Sequence, residues 1–109
     1  MEDGWIKIGT FGVDSGQVLI TDPCYLNEWD DEDYDEAKIK TMQKSGKFDY
    51  SYNGACAKTL LDVDNKRGAG TIGLGCDGVV SETGFGDGEY SVYAKYEDSR
   101  VKELRIVFF

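Results

Sequence analysis

"EYSVYAKYEDSRVKELRIVFF", residues 89–109, is the stretch on which the fold class turns. Tyr90, Val92, Ala94 and Tyr96 alternate with Ser91, Tyr93 and Lys95, the two-residue period of a half-buried strand. Leu104, Ile106 and Phe108 form the apolar set of a second run, and Asp98-Ser99 between the runs reads as a turn. Both runs are rich in aromatic and β-branched residues, which suit a pleated sheet surface. An antiparallel hairpin is therefore predicted at this end of the chain.

Working outward, Gly86-Asp87-Gly88 reads as the turn that opens this hairpin, after the run "VVSETGF". Upstream, "TIGLGC" reads as a glycine-interrupted strand and Asp77-Gly78 as a favoured hairpin turn. At the other end, "WIKIGTFGV" and "QVLIT" flank the turn signal Asp14-Ser15-Gly16 and together predict an opening hairpin. Asp22-Pro23 then stops the second strand, because proline has no N–H to give a ladder.

A single helix is predicted over about residues 33–45. Asp33 stands as its cap with Glu36 three residues on, Ile39 and Met42 share a face, and Gly46 supplies the stop. Acids at its start and lysines at its end suit the helix dipole. Beyond it, "KFDYSYN", with Phe48, Tyr50 and Tyr52 on one side, and "ACAKTLLDV" read as strands, and "NKRGAG" as a loop. Cys56 and Cys76 fall within predicted strands and are expected in the core. The fold class is mainly β (α+β), an antiparallel sheet or small β-sandwich with one inserted helix. At 109 residues, one domain spanning 1–109 is expected.

The composition narrows the chemistry. There is no histidine, which removes His-based triads, ordinary His-containing zinc sites and the commonest acid–base side chain near neutral pH. The three cysteines are widely spaced, without the close pairs of structural zinc, and fit a reducing cytoplasm better than a disulfide framework. No metal and no cofactor is expected. The acidic runs do not form an EF-hand, which needs glycine sixth and glutamate twelfth. Counted from Asp31 those places hold Glu36 and Met42, and from Asp62 they hold Arg67 and Gly73. "RGAGTIGLG" lacks the Gly-Lys-Ser/Thr ending of a phosphate loop. No apolar run reaches the roughly 18 residues that cross a bilayer. "MEDGWIKIG" does not read as a secretory signal.

The net charge is −9, and residues 30–36, DDEDYDE, contain six acids and no base. Direct nucleic-acid binding is not expected, since phosphate contacts need clustered Lys and Arg. Attraction to a basic surface is expected instead, including the nucleic-acid groove of another protein. The candidate partner-binding residues are Glu28, Trp29, Asp30, Asp31, Glu32, Asp33 and Tyr34, acids around two aromatic anchors.

Two blocks, "GVDSGQVLITDPCYLNEW" at 12–29 and "GFGDGEYSVYAKYEDSRVKELRIVFF" at 84–109, resemble a family of small bacterial and phage proteins of unknown function. Its members carry a D-P-C-Y turn after an early strand and a G-x-G-D-G-x-Y turn opening the last hairpin. The resemblance implies that Asp22, Cys24 and Tyr25 share one turn and Asp87 and Tyr90 another. Turns at the same sheet end would frame a ligand pocket, to which Lys66 and Arg67 are added as possible anion holders.

Three functions are weighed. The first is a small non-enzymatic interaction protein, such as a phage-encoded inhibitor or decoy with an anti-defence role, docking its acidic face on a nucleic-acid-processing enzyme in the bacterial cytoplasm. The second is a binder of a small, nucleotide-like molecule, stacked on some of the seven tyrosines and two tryptophans. The third is an enzyme using Cys24 with Asp22 or Asp87, disfavoured because the sequence neighbours of Cys24 are anionic and disfavour a thiolate. The first is the expectation carried forward, with no catalytic residue assigned.

Overall fold

The computed structural model describes residues 4–109, so Met1–Asp3 of the N-terminal stretch lie outside the described residues. In chain order the elements are β1 (Trp5–Val13), β2 (Gln17–Thr21), a short 3-10 helix (Pro23–Glu28), α1 (Glu36–Ser45) and α2 (Tyr52–Leu60). Then follow β3 (Asp62–Val63), β4 (Lys66–Arg67), β5 (Ala69–Ile72), β6 (Gly78–Glu82), β7 (Gly88–Glu97) and β8 (Arg100–Val107). The protein is mainly antiparallel β with helices, as the alternating runs imply. Its chain divides into two compact units, one of the residues up to Gly16 with Thr83–Phe109, the other Gln17–Glu82.

The first unit is a three-stranded antiparallel sheet in the order β1-β7-β8. The predicted terminal hairpin is present, closed at Asp98 (φ 52) and Ser99 (φ 64). Positive φ at both central residues is what a type I′ hairpin turn requires. One face carries Phe11, Tyr90 and Phe108, with Tyr90 edge-on to Phe108 at 5.4 Å and tilted on Phe11 at 6.3 Å. Tyr90 and Ala94 are buried as read, but Leu104 is 63% exposed and Tyr96 is also exposed. Leu104 lies on β8, an edge strand with a neighbour on one side only, and Tyr96 lies at the hairpin end of β7.

The second unit holds a β2-β6-β5 sheet, the small β3-β4 ladder and both helices. The opening hairpin of the sequence reading does not form. β1 pairs with β7 and β2 pairs with β6, so the Asp14–Gly16 bend passes the chain between sheets. A turn signal specifies a reversal and says nothing of which strand lies alongside.

Two further readings are corrected here. α1 starts later than expected: Asp35, not Asp33, is its cap, accepting from the N–H groups of Ala37 (3.0 Å) and Lys38 (3.2 Å). Gly46 ends it in the left-handed region, as the sequence indicates, and Ile39 and Met42 are buried. Residues 52–60 are helical, not strand, so α1 is not the sole helix. Ser51 caps α2, its hydroxyl accepting from Gly54 N at 2.9 Å. Ala55, Cys56, Ala57 and Thr59 are all buried, so α2 lacks the polar stripe that would reveal a helical period.

The core has two adjoining clusters: Ile39, Met42, Cys56 and Ala57, then Tyr50, Ala55, Ile72 and Val80 with Leu19 and Trp29. Phe48 packs against both. Cys56 is thus a core residue, but on a helix, while Cys76 is exposed in the loop between β5 and β6. That loop spans 73–77 and Gly78 is already in β6, so Asp77-Gly78 is not the whole turn. The stretch read as the loop NKRGAG is instead the Asp64-Asn65 turn side, with Lys66–Arg67 and Ala69–Ile72 in strands.

Candidate functional site

The acidic run is an exposed strap fastened to the start of α2. Asp30 N donates to Tyr50 O at 3.0 Å, and Asp30 bridges Ser51. Asn53, fully buried, makes the other fastening. Its amide nitrogen donates to Glu32 Oε1 and to Asp33 O, both at 2.9 Å, and its oxygen accepts from Asp35 N at 2.8 Å. One side chain therefore satisfies two backbone groups and a carboxylate, and it keeps the chain extended as far as Asp35. This is why the helix cap falls two residues after Asp33, at Asp35.

The strap contains acids of two kinds. Glu32 is held: its Oε2 receives Lys38 Nζ at 2.7 Å while Oε1 receives Asn53. These bonds, that from Lys38 foremost, hold the Glu32 carboxyl below its ordinary range, and the same bond raises Lys38. Glu36 lies 3.5 Å from Lys40 and Asp35 caps α1. Glu28, Asp30, Asp31 and Asp33 are exposed, and among the described residues their carboxylates have no hydrogen bond or ion pair.

The two aromatic anchors also differ. Trp29 turns inward, edge-on to Tyr50 with centroids 5.0 Å apart, and joins the core. Tyr34 is 58% exposed and leans on Tyr52 at 6.3 Å. Tyr50 is fixed in turn by Thr21. The Thr21 hydroxyl donates to Asp77 O at 2.8 Å, which leaves its oxygen to accept from the Tyr50 hydroxyl, also at 2.8 Å.

Of the residues expected to frame a pocket, Asp22, Cys24 and Tyr25 lie in the second unit and Asp87 and Tyr90 in the first. Asp22 caps the 3-10 helix, accepting from Cys24 N at 2.8 Å, and Cys24 and Tyr25 are exposed. The Tyr90 hydroxyl donates to Gly86 O at 2.6 Å, closing its own turn. Arg67 stands 3.8 Å from Glu82, and Lys66 is exposed on β4.

None of those seven lines the cleft that the second unit does contain, a concavity of about 630 Å³. Glu28 and Asp30 of the strap line it; so do Lys47, Phe48, Asp49 and Tyr50, and Lys58 of α2. Thr71, Gly73, Leu74 and Asp77 add to the lining. Asp77 is engaged in its own loop, accepting from Leu74 N at 2.9 Å. The Lys58 ammonium sits 4.6 Å over the Phe48 ring. Sequence reading missed this cleft because Phe48 and Lys58 looked like members of separate strands. The lone Lys58 among apolar neighbours, "ACAKTLL", was the available signal.

Among the described residues, no three His, Cys, Asp or Glu side chains converge as metal ligands, and no helix is long and apolar enough to cross a membrane. Neither the curated proteins nor the solved structures contain a match to this chain. A family model does match, over residues 1–106, and by that span the chain belongs to the family described as protein of unknown function (DUF4241).

Proposed function

We propose that the protein is a non-enzymatic interaction module whose strap, Glu28 to Tyr34, docks on a basic surface of a partner protein. The observation that supports it is a contrast within the strap. Its backbone is pinned by Asn53 and Tyr50, while the carboxylates of Asp30, Asp31 and Asp33 stay exposed and unpaired. A pre-ordered segment loses little conformational freedom on docking, and its charges steer encounter with an oppositely charged surface. In this reading the partner is a nucleic-acid-processing enzyme of the bacterial cytoplasm, its groove occupied by carboxylates in place of phosphates. The three free thiols fit that reducing compartment. The setting is a phage-encoded inhibitor or decoy acting against host defence.

The test is affinity capture from the native cell extract with the wild-type chain and with Asp30→Asn/Asp31→Asn/Asp33→Asn. A partner held at about 0.05 M salt and released near 0.5 M is expected, because screening shortens with ionic strength. The triple variant should weaken capture on the order of 10-fold, and Cys24→Ser should leave it unchanged. Undiminished binding by the triple variant would remove the strap from the interface.

A further inference from the structure

We propose that the cleft of the second unit is a binding site for a small zwitterion, an amino acid or dipeptide with free termini and an apolar side chain. Its volume of about 630 Å³ lies within the range of small-molecule sites. Its charges have an unusual arrangement. Lys58 is half-buried and, among the described residues, its ammonium pairs with no carboxylate, although Glu28, Asp30, Asp49 and Asp77 line the same concavity, together with a second, exposed lysine, Lys47. Among the described residues, Glu28, Asp30 and Asp49 are likewise without ion pairs, and Asp77 accepts only from its own loop.

The local structure accounts for this separation. The Lys58 stem runs over Gly70, where a Cβ would overlap Lys58 Cε, so only glycine leaves that path open. Its ammonium then rests on the Phe48 ring face, a favourable seat for a cation that does not neutralise it. The cleft therefore holds an ammonium and carboxylates that are not paired with one another.

The choice of ligand follows from these charges. A simple anion attracted to Lys58 meets four carboxylates, and a simple cation attracted to them meets Lys58 and Lys47. A molecule bearing both charges offers a partner to each kind of group. Phe48, and Leu74 with 93% of its surface exposed at the mouth, offer apolar contact to a side chain between the two termini. Glu28 and Asp30 belong to the strap as well, but Lys58 and Asp49 lie outside it, so the site is tested there independently of the docking reading.

The test uses the dipeptide Phe-Gly with free termini, its N-acetyl form and its C-terminal amide, followed by amide NMR shifts and calorimetry. Free Phe-Gly should move the Thr71, Gly73 and Leu74 signals, and blocking either end should weaken it at least about 10-fold, or 1.4 kcal/mol. Lys58→Met should erase the preference for carboxylate over amide, and Asp49→Asn should reduce the preference for free amine over acetyl. Asp31→Asn/Asp33→Asn, which lies off the cleft but in the strap, should leave binding unchanged. A dispersed wild-type-like spectrum for each variant verifies its fold. No shift at millimolar dipeptide, or equal binding of the blocked forms, would overturn the proposal without touching the strap.

Discussion

In the unit built from β1, β7 and β8, order comes from backbone ladders between strands and from aromatic contacts on one face, with a single buried polar side chain among the described residues, Thr83, bonding within its own turn to Gly86 O at 2.8 Å. In Gln17–Glu82, by contrast, the buried polar side chains Ser51, Asn53 and Thr59 stand at the junctions of the fold. Ser51 starts α2, Asn53 ties the strap, and Thr59 bonds back to Ala55 O at 3.0 Å. The difference is one of concentration. Stability spread over a ladder tolerates the loss of one side chain, whereas a buried amide with three bonds leaves orphaned groups behind when it is removed.

The sharpest way to break this contrast is Asn53→Ala. It strands Asp35 N–H, Asp33 C=O and the Glu32 carboxylate, so a loss of about 3 kcal/mol is expected in urea unfolding. Hydrogen exchange should show the strap losing protection while β7 and β8 keep theirs. A loss confined to a few tenths of a kcal/mol would mean that the clasp is redundant.

Next in size is Gly54→Ala. Helix propensity alone favours alanine by about 1 kcal/mol. A Cβ on Gly54, however, would overlap the Asp49 carbonyl, which is backbone and has no freedom to swing aside. A net destabilisation of about 2 kcal/mol is expected from such overpacking. Stabilisation in a thermal melt would show that the approach of α2 to residue 49 is looser than described.

The first unit offers a change of opposite sign. Ser99 sits at φ 64, a conformation that glycine adopts without penalty. Ser99→Gly should raise stability by about 1 kcal/mol. Because the turn closes a local hairpin, the gain should appear in the exchange rates of β7 and β8.

The smallest effect is a change in pH dependence. The Glu32 carboxyl is lowered from 4.5 and Lys38 is raised from 10.5, each chiefly by their shared bond. The Glu32 contribution is therefore complete above its ordinary value and lost as pH falls through the lowered one. That of Lys38 is complete below its ordinary value and lost as pH rises through the raised one. Glu32→Gln removes both, so its deficit against wild type should be level near neutrality and shrink at both extremes. A deficit that did not narrow in acid would place the origin of the effect elsewhere.

Much of the fold was legible where local chemistry and tertiary structure agree. The Asp98-Ser99 hairpin is both a turn signal and an observed turn, and Ile39, Met42 and Gly46 mark α1 correctly. The strap was visible as charge, but its division was not. Glu32 looks like its neighbours in sequence, and only the arrival of Asn53 and Lys38 separates it from Asp31 and Asp33. The cleft was invisible for the same reason, since Asp30, Phe48, Lys58 and Leu74 come from four segments.

From sequence alone, this protein is an acidic, histidine-free chain of mainly antiparallel strands, with a charged strap and one marked helix. Those features depend on composition, short-range periodicity and turn chemistry, which need no knowledge of distant residues. Tertiary structure decided that β1 and β2 part company, that residues 52–60 coil rather than extend, and which acids remain unpaired. Strand partnership depends on contacts far apart in the chain. A helix buried on most sides has no polar face to write its period into the sequence. Whether a carboxylate is held or free depends on which donors the finished fold brings beside it.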